Sequence, residues 1–199
     1  MQGLFNEPID LKLPDSTISY YPKFITHEKA TEYFNVFRDT IAWQQDDIKV
    51  FGKVYAQPRL TALYANNEMP YSYSNITMTP HLFTEELLTL KKKIEGIAEC
   101  KFTTCLLNLY RDGKDSNGWH ADNEKELGEN PIIASISLGA ERFFHLKHNT
   151  DPELKQKILL EHGSLLLMRG KTQHFWKHQI PKTAKPIPER INLTFRIIN

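Results

Sequence analysis

Cysteine is nearly absent: Cys100 and Cys105 are the only two in 199 residues. Two are too few for a disulfide framework, and a reduced cytosolic protein is the default for such a chain. A metal site would then rest on nitrogen and oxygen donors. Long apolar runs are missing too, so nothing approaches the ~20 residues of a membrane-spanning helix. The start, MQGLFNEPIDLKLPDS, lacks the basic beginning and apolar core of a secretory signal. The expectation is a monomer with no membrane association, cytoplasmic, or nuclear if the source is eukaryotic. There is also no excess of one charge. Lys and Arg number 25 against 24 Asp and Glu, for a net charge of +1, which by itself does not advertise a polyanion as partner. Internal repeats and low-complexity linkers are absent, and the length suits one substantial core rather than two.

The distribution of charge is less even than its sum. Residues 112–153 hold nine acids and four bases, whereas residues 154–199 hold nine Lys or Arg against Glu161 and Glu189. A basic C-terminal region points to an anionic partner, although a solvated face explains most such asymmetries. The segment THEKATEYFNVFRDTIAWQQ spaces Ala30, Tyr33, Phe34, Phe37 and Ile41 for one helical face behind a Thr26 cap. A second helix is predicted over residues 84–99. After about residue 101 come seven short strand-like runs with brief turns between them: FTTCLLNLY, IIASISLG, RFFHLKH, KILLEHG, SLLLMRG, HFWKHQIP and RINLTFRII. Many short strands in succession predict a sandwich or jelly roll. The fold class is mainly β with flanking helices (α+β).

The stretch SNGWHADNEKEL sets His120 and Asp122 two apart. On a strand, residues i and i+2 project to the same side, so an imidazole and a carboxylate would converge there. That pattern is either a surface pair or two-thirds of a metal site. Candidates for a third ligand are His145, His148, His162, His174 and His178. His145 and His148 differ in parity along their strand, and His162 fits a capping role in the turn EHGS. His174 and His178 remain, the latter just before an Ile-Pro turn. Two histidines and one carboxylate leave open positions suited to Fe(II) in oxygenases. The last run sharpens the reading: Arg190, Asn192, Thr194 and Arg196 alternate with Ile191, Leu193, Phe195 and Ile197. Two arginines aimed into a β core are costly unless they meet carboxylates. A small dicarboxylate such as 2-oxoglutarate would satisfy both.

Taken in order, PRL, YSYSNITM, NLYRDGKDSNGWHADNEKELG, PIIASISLGAERFF, EHGSLLLM, HFWKHQIP and RINLTFR resemble the AlkB family of Fe(II)/2-oxoglutarate-dependent nucleic-acid demethylases. The resemblance runs from about VFGKVYAQPRL to the C-terminus. It implies a double-stranded β-helix (jelly-roll) core over residues 100–199 and, in residues 1–99, helices and a nucleotide-recognition lid. It implies His120, Asp122 and His178 as iron ligands, with His174 outside the motif. It further implies Arg196 at the distal carboxylate of 2-oxoglutarate, Arg190 near the other end, and Asn108, Tyr110 and Asn192 around them. The implied reaction uses Fe(II), 2-oxoglutarate and O₂ to remove the N-methyl group of 1-methyladenine or 3-methylcytosine in alkylated DNA, with RNA as a further partner. Succinate, CO₂ and formaldehyde are released.

Four residues are expected on the substrate side. Glu124 matches an acidic position near the methylated base, its alternative being a solvated loop acid. Tyr71 and Tyr73 match positions where an aromatic ring stacks on the extruded base. Phe51 in VFG resembles a finger that fills the gap left in a duplex, and IKVFGKVY is otherwise an ordinary strand with a bulge at Gly52. Single- or double-strand preference stays open. Two rivals also stay open: a related oxygenase acting on protein or a small molecule, and a non-catalytic nucleic-acid-binding module.

Overall fold

One strand near the C-terminus organises everything around it. In the computed structural model, which describes residues 7–50, 53–68, 71–73 and 76–198, β16 (Arg190–Arg196) lies mid-sheet between β11 (Ile133–Gly139) and β9 (Thr104–Tyr110). Its alternation of polar and apolar residues splits the molecule into two environments. Ile191, Leu193 and Phe195 face one way, into a core completed by α1 (His27–Thr40) and α2 (Glu85–Ala98). Arg190, Asn192, Thr194 and Arg196 face the other way, into a cavity.

The large sheet has eight strands. Before β16 and its neighbours come β1 (Ile9–Leu11), β2 (Thr17–Tyr21), β5 (Leu60–Ala65), β8 (His81–Leu82) and, later, β14 (Ser164–Arg169), in the order β1-β2-β14-β11-β16-β9-β5-β8. All pairs are antiparallel except β5 with β8. The small sheet has the order β10-β15-β12-β13, from β10 (Asn117–His120), β12 (Arg142–His148), β13 (Lys155–Leu160) and β15 (Trp176–Ile180). Two separate hairpins, β3 (Asp47–Val50) with β4 (Lys53–Ala56) and β6 (Tyr71–Tyr73) with β7 (Ile76–Met78), complete the strands. A one-turn helix, α3 (Thr172–Phe175), leads into β15.

The two larger sheets face each other. Tyr20, Ile133, Leu166 and Met168 of the large sheet and Phe144, Leu146, Ile158 and Trp176 of the small one share a single apolar cluster. This is the sandwich that a jelly roll requires; it covers one face of β9 and β16 while the helices cover the other, which explains the run of buried residues along both strands. All seven strand-like runs are strands. The strands do not, however, belong to the second half of the chain alone. β1 and β2 extend the large sheet beyond β14, and β5 and β8 extend it beyond β9, so the interior strands do not end in bare edges.

Both helices start where capping predicts. The hydroxyl of Thr26 accepts from the Lys29 N–H, and that of Thr84 from the Leu87 N–H. Helix α1 buries Ala30, Tyr33 and Phe37 against the sheet. Its seat needs a glycine: Gly139, at φ +82°, has no room for a Cβ, which would lie 2.6 Å from both the Glu189 carbonyl and the Phe34 ring.

Candidate metal and cosubstrate centre

The strand carrying His120 ends at that residue, and Asp122 lies beyond it. Convergence of the two therefore does not come from the alternation of one strand. It comes from three tertiary contacts. The Asp122 N–H donates to Oε1 of Gln173 on α3 at 2.9 Å, and its Oδ1 accepts from Nη2 of Arg196 at 2.5 Å. Its Oδ2 lies 3.7 Å from Nε2 of His178 on β15. β10 and β15 are paired with His120 directly opposite His178. Donor atoms of His120, Asp122 and His178 all fall within 4.8 Å of one another.

Protonation suits metal ligation. Nδ1 of His120 lies 2.7 Å from the Gly118 carbonyl, which can only accept, so Nδ1 carries the hydrogen and Nε2 keeps its lone pair. Burial pushes the His120 imidazolium pKa down, outweighing the pull of Asp122. Burial also takes His178 down to about 3, with His120 adding to the fall. Its ring stacks on Phe144 at 5.0 Å. Asp122, only 2% exposed, is raised by burial, but Arg196 and the two imidazoles outweigh that and hold it below the usual carboxylate range. Two neutral imidazoles and one carboxylate are the protonation states in which these side chains bind a metal.

His174 is exposed and is not part of the group. His162 accepts the Gly139 N–H through Nδ1 at 2.8 Å, a turn-holding role. His145 lies on β12 directly opposite Gln179, and the side chain of His148 caps the turn that follows it.

The same cavity is also lined by Asn108, Tyr110, Arg190, Asn192 and Arg196, together with Arg59, Ser135 and Thr194. Asn192 donates to Ser135 Oγ at 2.7 Å and to the Ile136 carbonyl at 3.0 Å. Arg190 and Arg142 offer a controlled contrast. Both are buried beside the Tyr110 ring, with Cζ 5.2 and 5.8 Å from its centroid. Arg142 donates to three carbonyls, those of Asp112, Asp115 and Pro181. Arg190 donates from Nη2 to Ser137 Oγ at 2.9 Å, and its Nε and Nη1 have no hydrogen-bond partner within ordinary bonding geometry among the described residues. Burial lowers its pKa to about 10. A buried guanidinium with two orphaned N–H-bearing atoms is expensive unless an anion completes it.

Sequence reasoning missed Arg59 and Gln173 as site residues. Arg59 stands just after β4 and donates to Asn108 Oδ1 at 2.7 Å and to the Ser116 carbonyl at 3.2 Å. Its only signal was its place in PRL; Gln173 had none. On the substrate side, Glu124 is half-buried at the start of a short 3₁₀ turn and does not line the described cavity. Burial raises its carboxyl, and nearby Asp122 acts in the same direction. Phe51, between β3 and β4, lies outside the described residues, as do the side chains of Tyr71 and Tyr73.

The sequence profile of the 2OG-Fe(II) oxygenase superfamily matches residues 17–196. Among curated proteins, alpha-ketoglutarate-dependent dioxygenase alkB homolog 3 of Homo sapiens is 41% identical over 197 residues, covering 92% of this chain and 66% of its own length. DNA oxidative demethylase ALKBH2 of Arabidopsis thaliana is 36% identical over 214 residues, covering 92% and 67%. The Homo sapiens ALKBH2 is 35% identical over 178 residues, covering 86% and 66%. The chain thus spans about two thirds of the length of the curated relatives it matches. The solved structure of OsALKBH1 superposes with a TM-score of 0.66 over 96% of this chain and 99% of that one, at 18% identity, which speaks to the fold. The chain belongs to the 2OG-Fe(II) oxygenase superfamily and, within it, to the AlkB family.

Proposed function

We propose that this protein is an Fe(II)- and 2-oxoglutarate-dependent dioxygenase that demethylates 1-methyladenine and 3-methylcytosine in DNA, with RNA as a second substrate to be tested. One observation carries the reading: a neutral-neutral-anionic ligand set and a buried, incompletely bonded arginine open into the same cavity. Similarity to proteins named DNA oxidative demethylase supports the nucleic-acid substrate.

His120, Asp122 and His178 would hold Fe(II), which with 2-oxoglutarate and O₂ supplies oxidation of the N-methyl carbon, lost as formaldehyde, while succinate and CO₂ leave. The remaining tasks fall to the chain. Arg196 anchors and orients Asp122, keeping that carboxylate ionised. Arg190, Tyr110, Asn108 and Asn192 form the polar end of the cavity. The two arginines are assigned in the order opposite to the sequence expectation. Arg196 is engaged at the ligand cluster, so it serves the metal end. Arg190, with Nε and Nη1 uncommitted, is the group for the distal carboxylate of 2-oxoglutarate. Apolar walls from Leu106, Ile133, Phe144 and Met168 exclude water between these ends.

The hairpins β3–β4 and β6–β7 belong to neither larger sheet and carry Phe51, Tyr71 and Tyr73 at or beside them. They are assigned as the nucleotide-recognition lid, with the remainder of the first 99 residues bracing the catalytic core. Arg59, which joins the first hairpin to β5 and reaches Asn108 in the cavity, couples lid to site.

The test is anaerobic loading with Fe(II) and 2-oxoglutarate, then air, with formaldehyde and succinate measured in parallel. Four substrates are compared: 3-methylcytosine DNA, 1-methyladenine RNA, a methylated peptide and none. Formaldehyde from the nucleic acids alone is the expected result. Formaldehyde from the peptide alone would move the chain to a protein-modifying oxygenase, and none from any substrate would favour a binding module.

A further inference from the structure

The inner face of the small sheet holds His120, His178 and the apolar contacts to the large sheet; its outer face is built quite differently. Across β13, β12 and β15, Lys155, Lys147 and Lys177 stand directly opposite one another in register. Lys155 and Lys177 are exposed and Lys147 half-buried. Like charges placed directly across a sheet repel. The four strands of this sheet contain no Asp or Glu at all, and no carboxylate pairs with these lysines in any ion pair among the described residues.

Two exposed aromatic rings are interleaved with the ammonium groups. Trp119 is 39% and Phe143 45% exposed. The Nζ of Lys147 lies 4.4 Å from the Trp119 ring centroid, and that of Lys157 lies 3.8 Å from the Phe143 ring. Half-covered aromatic rings are poor solvent-facing residues unless something stacks on them. Lysines repelling one another are poorly placed unless an anion sits between them. A single partner answers both needs: a single-stranded nucleic acid offers phosphates and unstacked bases in alternation. Trp119, over whose ring Lys147 lies, immediately precedes the cavity-lining His120 on β10, the edge strand of the sheet, so one end of this face adjoins a strand of the cavity wall.

We propose that the outer face of the small sheet, with Lys147, Lys155, Lys157 and Lys177 around Trp119 and Phe143, is a second nucleic-acid contact surface that holds the strand flanking the base in the cavity. It rests on the nucleic-acid reading of that cavity but concerns different residues. A charge-neutral overall composition conceals it, because the carboxylates that balance these lysines lie on other elements.

The test uses the full chain with Lys147, Lys155 and Lys177 all changed to Ala, and Trp119→Ala separately. Fluorescence anisotropy with an unmethylated 20-nucleotide single strand, at several salt concentrations, measures binding without turnover. Three lost phosphate contacts should weaken binding by about tenfold or more and reduce the slope of log K against log salt by about 2. Trp119→Ala should weaken it by about fivefold or more. Turnover of a 3-methylcytosine trinucleotide, too short to cross the face, should be unchanged in the triple-lysine variant. If the alanine triple lowers the melting temperature, the corresponding Lys→Gln triple carries the measurement. Unchanged affinity and salt slope for the 20-mer overturn the proposal. So does displacement of the strand by polyglutamate at equal charge concentration, which assigns the face to acidic protein. Binding through the lysines without demethylation of any nucleic acid would instead retain this surface and overturn the proposed function.

Discussion

The two faces of β16 are both hidden from water and chemically opposite. Ile191, Leu193 and Phe195 are fully enclosed by α1, α2 and neighbouring strands. Arg190 and Arg196 are almost as enclosed, at 1% and 4% exposure, yet they border a cavity instead of packed atoms. Burial depth therefore does not separate structure from function in this strand. What separates them is completion. The apolar face needs nothing further, whereas Arg190 keeps two polar atoms with no hydrogen-bond partner among the described residues. Arg142 makes the same point within the polar layer, since its three carbonyl acceptors make it structural.

The largest effect should come from the ligand cluster. Replacing His120, Asp122 or His178 by Ala should abolish turnover and Fe(II) binding, read by formaldehyde release and metal titration. His174→Ala, on the exposed side of α3, should retain both; the reverse pattern would break the assignment. On the apolar face, Leu193→Ala leaves a cavity in a close-packed core and should cost ~2–5 kcal/mol. Chemical denaturation should show that loss, with 2-oxoglutarate affinity retained in the folded fraction.

The polar face should respond in the opposite sense. Arg190→Met removes charge-assisted hydrogen bonds worth ~1.5–3 kcal/mol, so the Kd for 2-oxoglutarate should rise about 10- to 150-fold. Lys at that position should fall between, having charge without the fork. Arg196→Met should instead weaken Fe(II) binding first, because it strips Asp122 of its partner. If Arg196→Met raised the 2-oxoglutarate Kd while sparing Fe(II), the order of the two arginines would revert to the sequence expectation.

A smaller effect is expected at Gln173, which holds the Asp122 N–H but does not line the cavity. Gln173→Ala leaves the Asp122 N–H unpaired, and ~10-fold weaker Fe(II) binding should follow, within the range for groups that orient metal ligands. The smallest effect lies behind the apolar face. Glu95 is raised by burial, but Lys91, Lys101 and the Phe102 N–H outweigh that and leave its pKa below the ordinary value. A depressed carboxyl stabilises the fold above the unfolded pKa, and that contribution disappears as pH falls through the folded pKa. Glu95→Gln should thus lower the melting temperature at pH 7, and its gap from wild type should close on acidification below about pH 4.

Much of this was legible before the fold was known. β16 could be read residue by residue because period-two alternation separates its two chemistries without reference to any neighbour. The Thr26 cap was equally local: it is a hydroxyl answering an N–H three residues on, as Thr84 also proves to be. The small-sheet lysines were visible only as a positive excess after residue 154. Nothing in the order of residues shows that Lys147, from the acidic segment, stands between Lys155 and Lys177.

The sequence by itself determined seven of the strands after residue 101, the two helices, the ligand types and the family, because these follow from local periodicity and motif order. Tertiary structure alone decided how Asp122 reaches its partners. It leaves the strand at His120 and is held by Gln173, 51 positions away, and Arg196, 74 positions away. It alone decided that Arg196 meets Asp122 while Arg190 meets Ser137, and it placed Arg59 against Asn108 across 49 positions. Local propensity acts over a few residues. Hydrogen bonds that span the sandwich form only when both sheets have closed around the cavity, so their partners are chosen by the fold.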